Sequence, residues 1–237
     1  KYLEDNNIEV TPVSSITGMG AVMDGRVKTL NPKIFGGILA DRGNPNHLDA
    51  LKTMGGQQID LIIVNLYPFV QEAVKNNLPM EKAIEFIDIG GPSMLRAAAK
   101  NYHSVSVLSD TQDYQIFMDN FKDNDISLDC RKTLASKVFQ RTSEYDYNIT
   151  QYFNKNQENQ LPDSKNIYIE KVQDLRYGEN PHQSGAFYIK KGSDLPFEKY
   201  QGKALSYNNY LDLESAYNIA NEFESPACAI IKHSNPC

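Results

Sequence analysis

Residues 60–69 read DLIIVNLYPF. Leu61 to Val64 are apolar without alternation, the pattern of a strand covered on both faces, as in a parallel sheet packed between helices. The sequence on either side repeats the theme. IEVTPV (8–13) and SVSVLSD (104–110) predict further strands, while NPNHLDALKTMG (44–55), PMEKAIEF (79–86), PSMLRAAAKNYH (92–103) and DTQDYQIFMDNF (110–121) predict helices. Strand and helix in alternation point to an α/β fold, a doubly wound parallel sheet. Ligands of such sheets sit beyond the carboxyl ends of the strands. That rule singles out Asn65 and Tyr67 after LIIV, residues 14–17 after TPV, and Ser109 and Asp110 after SVSVL.

Residues 86–103, FIDIGGPSMLRAAAKNYH, place an acid, two glycines and a proline before a run of good helix formers. A helix starting at Pro92 is expected, since proline's fixed φ suits a first turn. Arg96 and Lys100, four apart, then share a face. Gly90 and Gly91 allow a tight turn in front of the helix, Asp88 stands at the end of the apolar lead-in, and the helix start attracts an anion. A capped surface helix with a solvated basic face is the plain alternative. The stretch MDGRVKTLNPKIFGGIL (23–39) is read as a basic loop bounded by glycines, bringing Arg26, Lys28 and Lys33 close together to hold a phosphate or carboxylate, against the alternative of solvated surface lysines.

Residues 129–156 predict one or two helices with Leu134, Val138, Phe139, Tyr145 and Ile149 facing a core. NKNQENQLPDSKN (154–166) has almost no apolar content and is the best candidate linker. The expected organisation is a domain over 1–153, a linker over 154–166, and a second α/β domain beginning at 167. In the latter, IYIEKV (167–172), AFYIKK (186–191) and PACAIIKH (226–233) predict strands and LDLESAYNIANEF (211–223) a helix. Lys232 and His233 then end an apolar strand, where an amine beside an imidazole suits proton abstraction next to oxyanion stabilisation. A lone histidine at a strand end is otherwise structural.

Composition narrows the classes. Hydrophobic residues make up 41% and charged residues 23%, ordinary for a globular protein, and the longest apolar runs are far too short to cross a bilayer. Twenty-four Lys and Arg against 30 Asp and Glu give a net charge of −6, which argues against a nucleic-acid footprint while leaving room for a local cationic pocket. Cys130, Cys228 and Cys237 form no CxxC, as expected of a reducing, cytoplasmic setting. His47, His103, His182 and His233 are scattered, so no metal site is expected. Starting on Lys1 with what reads as the last turns of a helix, and ending on SNPC straight after a strand pattern, the sequence is expected to be a piece of a longer protein.

The motifs occur together and in order. GRVKTL, VNLYPF, IDIGGP with MLRAAAKN, LRYGENPHQ, LSYNN with LD, and PAC with KH and NPC, spread from Gly25 to Cys237, closely resemble the family of bifunctional purine biosynthesis enzymes. These combine aminoimidazole carboxamide ribonucleotide transformylase with inosine monophosphate cyclohydrolase. The resemblance implies a methylglyoxal-synthase-like first domain and a cytidine-deaminase-like transformylase domain, 10-formyltetrahydrofolate as cosubstrate, purine nucleotide intermediates as ligands, no metal or nicotinamide, a homodimer and a cytoplasmic location. It implies that Arg26, Val27, Lys28 and Thr29 line the cyclohydrolase site, with Asn65 and Tyr67 at the purine ring, Asp88, Ile89 and Gly90 beside it, and Lys100 as proton donor and acceptor. In the second domain it implies that Arg176 and Tyr177 hold the aminoimidazole nucleotide, His233 is the base and Lys232 stabilises the transition state. The family's upstream phosphate loops and most of its transformylase domain have no counterpart in these residues. Asn31 and Phe35 stand where the family usually has histidines, and ITGMGAV (16–22) lacks its usual Pro-Glu.

The implied chemistry answers why DIGGP precedes a basic helix. In ring closure a carboxamide nitrogen attacks a formyl carbon, giving a tetrahedral alkoxide that loses water, so the site needs a proton carrier and a cation near developing negative charge. A different class of function, a non-catalytic methylglyoxal-synthase-like domain that senses nucleotides, is the competing reading. LRYGENPHQ and KHSNPC, which such a module would not carry, discriminate between the two.

Overall fold

A computed structural model of the chain describes residues 1–123, 125–155, 164–195 and 197–237. The chain divides into two compact units, Lys1–Leu161 and Pro162–Cys237. Of the expected linker, residues 156–163 lie outside the described residues.

In unit 1 the elements run α1 (Tyr2–Asp5), α2 (Val13–Thr17), α3 (Pro32–Leu39), α4 (Pro45–Thr53), β1 (Leu61–Ile63), a π-helical turn (Val70–Val74), α5 (Met80–Ala83) continued by a 3-10 turn (Ile84–Phe86), α6 (Gly90–Lys100), β2 (Ser106–Leu108), α7 (Asp113–Asn120) and α8 (Leu128–Phe153). Strands β1 and β2 pair in parallel, Leu61 opposite Ser106 and Ile63 opposite Leu108, with α5 and α6 in the crossover between them. This is the α/β arrangement that the unalternating LIIV run predicts. Helix α6 presents Leu95, Ala97, Ala98 and Ala99 inward, where they join Ile34 and Ile38 of α3, Ile62, Val105, Val107 and Val138 of α8 in the main core. Burying a side chain such as Leu95, which is 0% exposed, contributes about 1.5–3 kcal/mol. A second, aromatic cluster joins Phe69 to Tyr145 and Tyr152 of α8, with Ala73 and Ala83 beneath.

Three elements differ from the expectation. The basic stretch 23–39 is a loop only as far as Leu30, since Asn31 caps α3 by accepting the Lys33 N–H and Pro32 takes its first position. The glycine pair inside α3 serves contact and not turning, because a Cβ on Gly37 would lie 2.2 Å from the Gln57 carbonyl oxygen and one on Gly36 would lie 3.1 Å from Met54 Sδ. IEVTPV forms no strand. Residues 8–12 are irregular and Val13 opens α2, because a strand needs a neighbour for its hydrogen bonds and none of the described strands pairs there. Helix α6 starts at Gly90, two residues before Pro92, because Asp88 accepts the Gly91 N–H and so satisfies a first-turn donor.

Ser109 and Asp110, beyond the end of β2, are committed to structure. The carboxylate of Asp113, 2% exposed, accepts the N–H groups of Ser109 (3.3 Å) and Asp110 (3.1 Å) and pairs with Lys137 Nζ of α8 at 2.7 Å. Asp110 pairs with Arg141 at 2.9 Å. Lys137→Met leaves the buried carboxylate without its cation and is expected to cost about 1–3 kcal/mol in urea unfolding at neutral pH. The backbone N–H of Gln112 holds the Asp110 carboxyl below the ordinary carboxylate value of 3.8, and a hydrogen bond from Arg131 does the same for Asp125. A lowered folded-state value makes stability that is complete above the ordinary value and lost as pH falls through the lowered one. The urea midpoint is therefore expected to hold at neutral pH and to fall with acidification below about pH 4.

Unit 2 holds an antiparallel hairpin of β3 (Ile169–Asp174) and β4 (Ala186–Lys190), helix α9 (Tyr207–Asn221), and a second hairpin of β5 (Ile231–Lys232) and β6 (Asn235–Pro236). Ser206 and Asn209 form a capping box at the start of α9. Phe187 of β4 stacks on Tyr210 of α9 with centroids 4.4 Å apart, and with Leu175, Phe197, Tyr207 and Tyr217 they line an open groove of about 570 Å³. Among the described residues of unit 2 no hydrophobic side chain is fully buried.

Candidate functional site

At the carboxyl end of β1, Asn65 and Tyr67 are exposed, Tyr67 to 61%, while Phe69 is 2% exposed and anchors the segment beneath them. The Phe69 ring meets the edges of Tyr152 at 5.6 Å and Tyr145 at 6.4 Å. Tyr145 in turn accepts the N–H of Asp88 at 2.8 Å. The segments VNLYPF and IDIGG, separate in sequence, thus rest on the same aromatic cluster.

Asp88 is half-buried, and its Oδ1 accepts the Gly91 N–H at 2.8 Å. A Cβ on Gly91 would fall 2.4 Å from Asp88 Oδ2, so this position has to be glycine for the carboxylate to stay at the helix start. Facing it comes the loop before α3. Val22 and Val27 bridge across a turn in which Met23, Asp24 and Gly25 all have positive φ (53°, 54° and 89°), which delivers Arg26 to Glu85 Oε1 at 2.5 Å. Thr29 Oγ1 lies 3.0 Å from where a Cβ on Gly90 would stand. Arg26, Val27, Lys28 and Thr29 are in this way brought beside Asp88, Ile89 and Gly90, with Lys28 and Ile89 exposed. The loop that meets the positive end of α6 thus carries Lys28, exposed, and Arg26, paired with Glu85, a setting suited to an anionic or strongly polar ligand. Glu85 is not singled out by the sequence: PMEKAIEF reads only as a helical stretch, and the partner of Glu85 is 59 residues away.

The expected grouping of Lys100 with Asp88 does not appear in this geometry. Lys100 is the last residue of α6, and ten residue steps at 1.5 Å each put it roughly 15 Å along the axis from Gly90. The next residue, Asn101, donates to the carbonyls of Ile38 and Ala40 at the far end of α3. Thr29 meets the start of α6 and Ala40 its end, so α3 and α6 run side by side in the same direction, with Lys28 at one end and Lys100 at the other.

In unit 2 the guanidinium of Arg176 lies 4.9 Å from the Tyr177 ring centroid and donates to Tyr177 Oη at 3.1 Å. The Ser206 hydroxyl, and after it Arg176, holds the Tyr177 phenol below the ordinary tyrosine range. The backbone N–H of Tyr207 bonds the Tyr177 carbonyl, fixing this pair at the start of α9. The placement of Lys232 and His233 at the end of a long apolar strand is corrected. Residues 226–230 are irregular, and β5 folds straight back onto β6 through a turn in which His233 and Ser234 have φ of 54° and 60°. This is the tight two-residue hairpin geometry, with both central residues at positive φ, and among the described strands β5 pairs with β6 alone. Lys232 and His233 are exposed, and the Ser234 N–H donates to Asp212 of α9 at 2.7 Å. Arg176 with Tyr177, and Lys232 with His233, are thereby tied to one helix at Tyr207 and Asp212, five residues or about 7.5 Å apart along it.

The parallel strand pair and the helices packed against it define unit 1 as an α/β domain. Its family model is the MGS-like domain, matching residues 1–93, and the AICARFT/IMPCHase bienzyme model matches residues 98–237. The chain belongs to the AICARFT/IMPCHase bienzyme family. It is 49% identical over 241 residues to the bifunctional purine biosynthesis protein PurH of Clostridium perfringens and 46% identical to that of Clostridium acetobutylicum, covering 100% of this chain and 48% of each relative. The chain thus spans about half the length of the curated relatives it matches. It is also similar to the crystal structure of ForH, with a TM-score of 0.53 and 30% identity over 64% of this chain and 80% of that one. The bienzyme match runs on through unit 2, which a lone nucleotide-sensing module does not have. Among the described residues no helix is long and apolar enough to cross a membrane.

Proposed function

We propose that this chain is part of a cytoplasmic, homodimeric enzyme of the last two steps of purine synthesis. It passes a formyl group from 10-formyltetrahydrofolate to aminoimidazole carboxamide ribonucleotide and closes the product to inosine monophosphate. The observation that carries the reading is the bienzyme match extending from α6 through unit 2, coupled with the MGS-like match to the part that gathers Arg26, Lys28 and Asp88. In ring closure, Arg26 and the start of α6 attract the nucleotide, Asn65 and Tyr67 meet the purine ring, and Val27, Thr29, Ile89 and Gly90 shape its rim. Lys28 carries the proton and faces the alkoxide, and Asp88 keeps the α6 amides turned toward it. Support for Lys28 over Lys100 in this role comes from the parallel course of α3 and α6. In formyl transfer, Arg176 and Tyr177 hold the nucleotide, His233 accepts the proton of the attacking amine and Lys232 meets the oxyanion.

The experiment is to give the intact protein formylated aminoimidazole carboxamide ribonucleotide and follow ring closure by ultraviolet absorbance, then to supply the unformylated nucleotide with 10-formyltetrahydrofolate. Product is expected in both. No ring closure in the first assay would overturn the cyclohydrolase reading, and no formylation in the second the transformylase reading. In the second assay His233→Ala is expected to remove most formyl transfer, by about a hundredfold or more, with ring closure near the parent rate.

A further inference from the structure

We infer that Tyr145, in the middle of α8, is a positioning residue for ring closure, holding the backbone of residues 86–88 so that Asp88 and the start of α6 face the site. The inference rests on the cyclohydrolase reading above. One hydroxyl bonds both sides of Ile87: it accepts the Asp88 N–H at 2.8 Å and donates to the Phe86 carbonyl at 3.2 Å. Residues 87–89 have no strand partner: the Ile87 N–H closes the 3-10 turn onto the Ile84 carbonyl and the Ile89 carbonyl accepts from Ser93 of α6, while between these two ends the Asp88 N–H and the Phe86 carbonyl are held by the Tyr145 hydroxyl. The ring is 9% exposed and stands edge-on to Phe69, the anchor under Asn65 and Tyr67. A single side chain from a distant helix therefore sets the spacing between the two segments proposed to meet the substrate. Burial pushes the phenol above the ordinary tyrosine range, with the carboxylates of Asp88 and Asp146 acting the same way against the Asp88 N–H, so the hydroxyl keeps the proton it gives to Phe86.

Helix α8 supplies its own control. Tyr152, two turns on, also packs edge-on to Phe69 and donates to the carbonyl of Leu78, outside the proposed site. Removing either hydroxyl costs a buried bond, yet only Tyr145 holds a segment that meets substrate.

The test compares Tyr145→Phe, Tyr152→Phe and the parent, all as intact protein below their unfolding temperatures, by ring-closure kinetics and by hydrogen exchange of a peptide spanning residues 86–91. Tyr145→Phe keeps the ring and is expected to lower kcat by about tenfold with KM near the parent's, since misplacement by a fraction of an ångström acts on the transition state. Exchange at 86–91 is expected to speed up, because Asp88 loses its acceptor. Tyr152→Phe is expected to keep the parent's kcat. A parent-like kcat in Tyr145→Phe, or an equal fall in both variants, would overturn the positioning role. A parent that closes no ring overturns the cyclohydrolase reading, and the exchange at 86–91 then decides for Tyr145: if it is unchanged by loss of the hydroxyl, the clamp itself is refuted.

Discussion

Replacing Lys28 by alanine in the intact protein is expected to slow ring closure by at least about a hundredfold, the low end for losing a positioned proton carrier. The same change at Lys100 is expected to cost much less. Both lysines are exposed and both occur in segments that resemble the purine enzymes, so sequence alone treats them alike. Geometry separates them. Lys28 is flanked by Arg26, which reaches Glu85, and by Thr29, which touches the start of α6, whereas Lys100 closes the same helix roughly 15 Å away, beside the end of α3. In a parallel-strand domain the start of a crossover helix lies at the ligand side and its end at the opposite side. Steady-state ring closure of the two variants, with urea midpoints to show that both are folded, decides the matter. Should Lys100→Ala lose as much kcat as Lys28→Ala at parent-like stability, the site cannot be the one described at the start of α6.

The sequence was legible where a local pattern was dictated by burial. LIIV does form β1, although only Ile62 is buried in it and Ile63 is 50% exposed, so the run is covered less than its composition predicts, and the Leu-Arg-Ala-Ala-Ala run marks α6 because its inner face meets β1, β2, α3 and α8. The Asn-Pro pair before KIFGGIL was a helix start in plain view, but the two glycines suggested a turn. Their reason is the contact of Gly37 with the Gln57 carbonyl, which depends on a partner twenty residues on. IEVTPV and PACAIIKH have strand composition, yet a strand exists only when a neighbour shares its hydrogen bonds, and composition does not supply the neighbour. In the candidate site the same limit applies. Asp88, Arg26 and Lys28 could be picked out by residue type and setting, while Glu85 and Tyr145 could not, because what distinguishes them is contact across 59 and 57 residues of sequence.

Phe69→Ala is expected to have the largest effect on stability of any change near the site, about 3–5 kcal/mol. Phe69 is 2% exposed and packs with Tyr145, Tyr152, Ala73 and Ala83, with Leu66, Leu78, Met80 and Ile149 among the partly buried side chains against this cluster. The alanines have no side chain to swing into the space and both tyrosines are held by hydrogen bonds from their hydroxyls to backbone carbonyls, so relaxation is left to the partly buried side chains at the edge of the cluster. The hole therefore stays largely open, which is the condition under which a large-to-small change costs most. At 2–4 °C for each kcal/mol in a domain of this size, thermal unfolding of unit 1 is expected to move down by on the order of 10 °C. Phe69→Leu fills most of the volume and loses mainly the edge-to-ring contacts, so it is expected to cost about 1–2 kcal/mol. Ring closure at a temperature where the alanine variant is still folded is expected to fall as well, because Asn65 and Tyr67 lie four and two residues before the lost anchor. Calorimetry on the two variants checks the order. A loss under about 1 kcal/mol for Phe69→Ala would mean that the aromatic cluster does not hold this segment, and the support it gives to Asn65 and Tyr67 would have to be sought elsewhere.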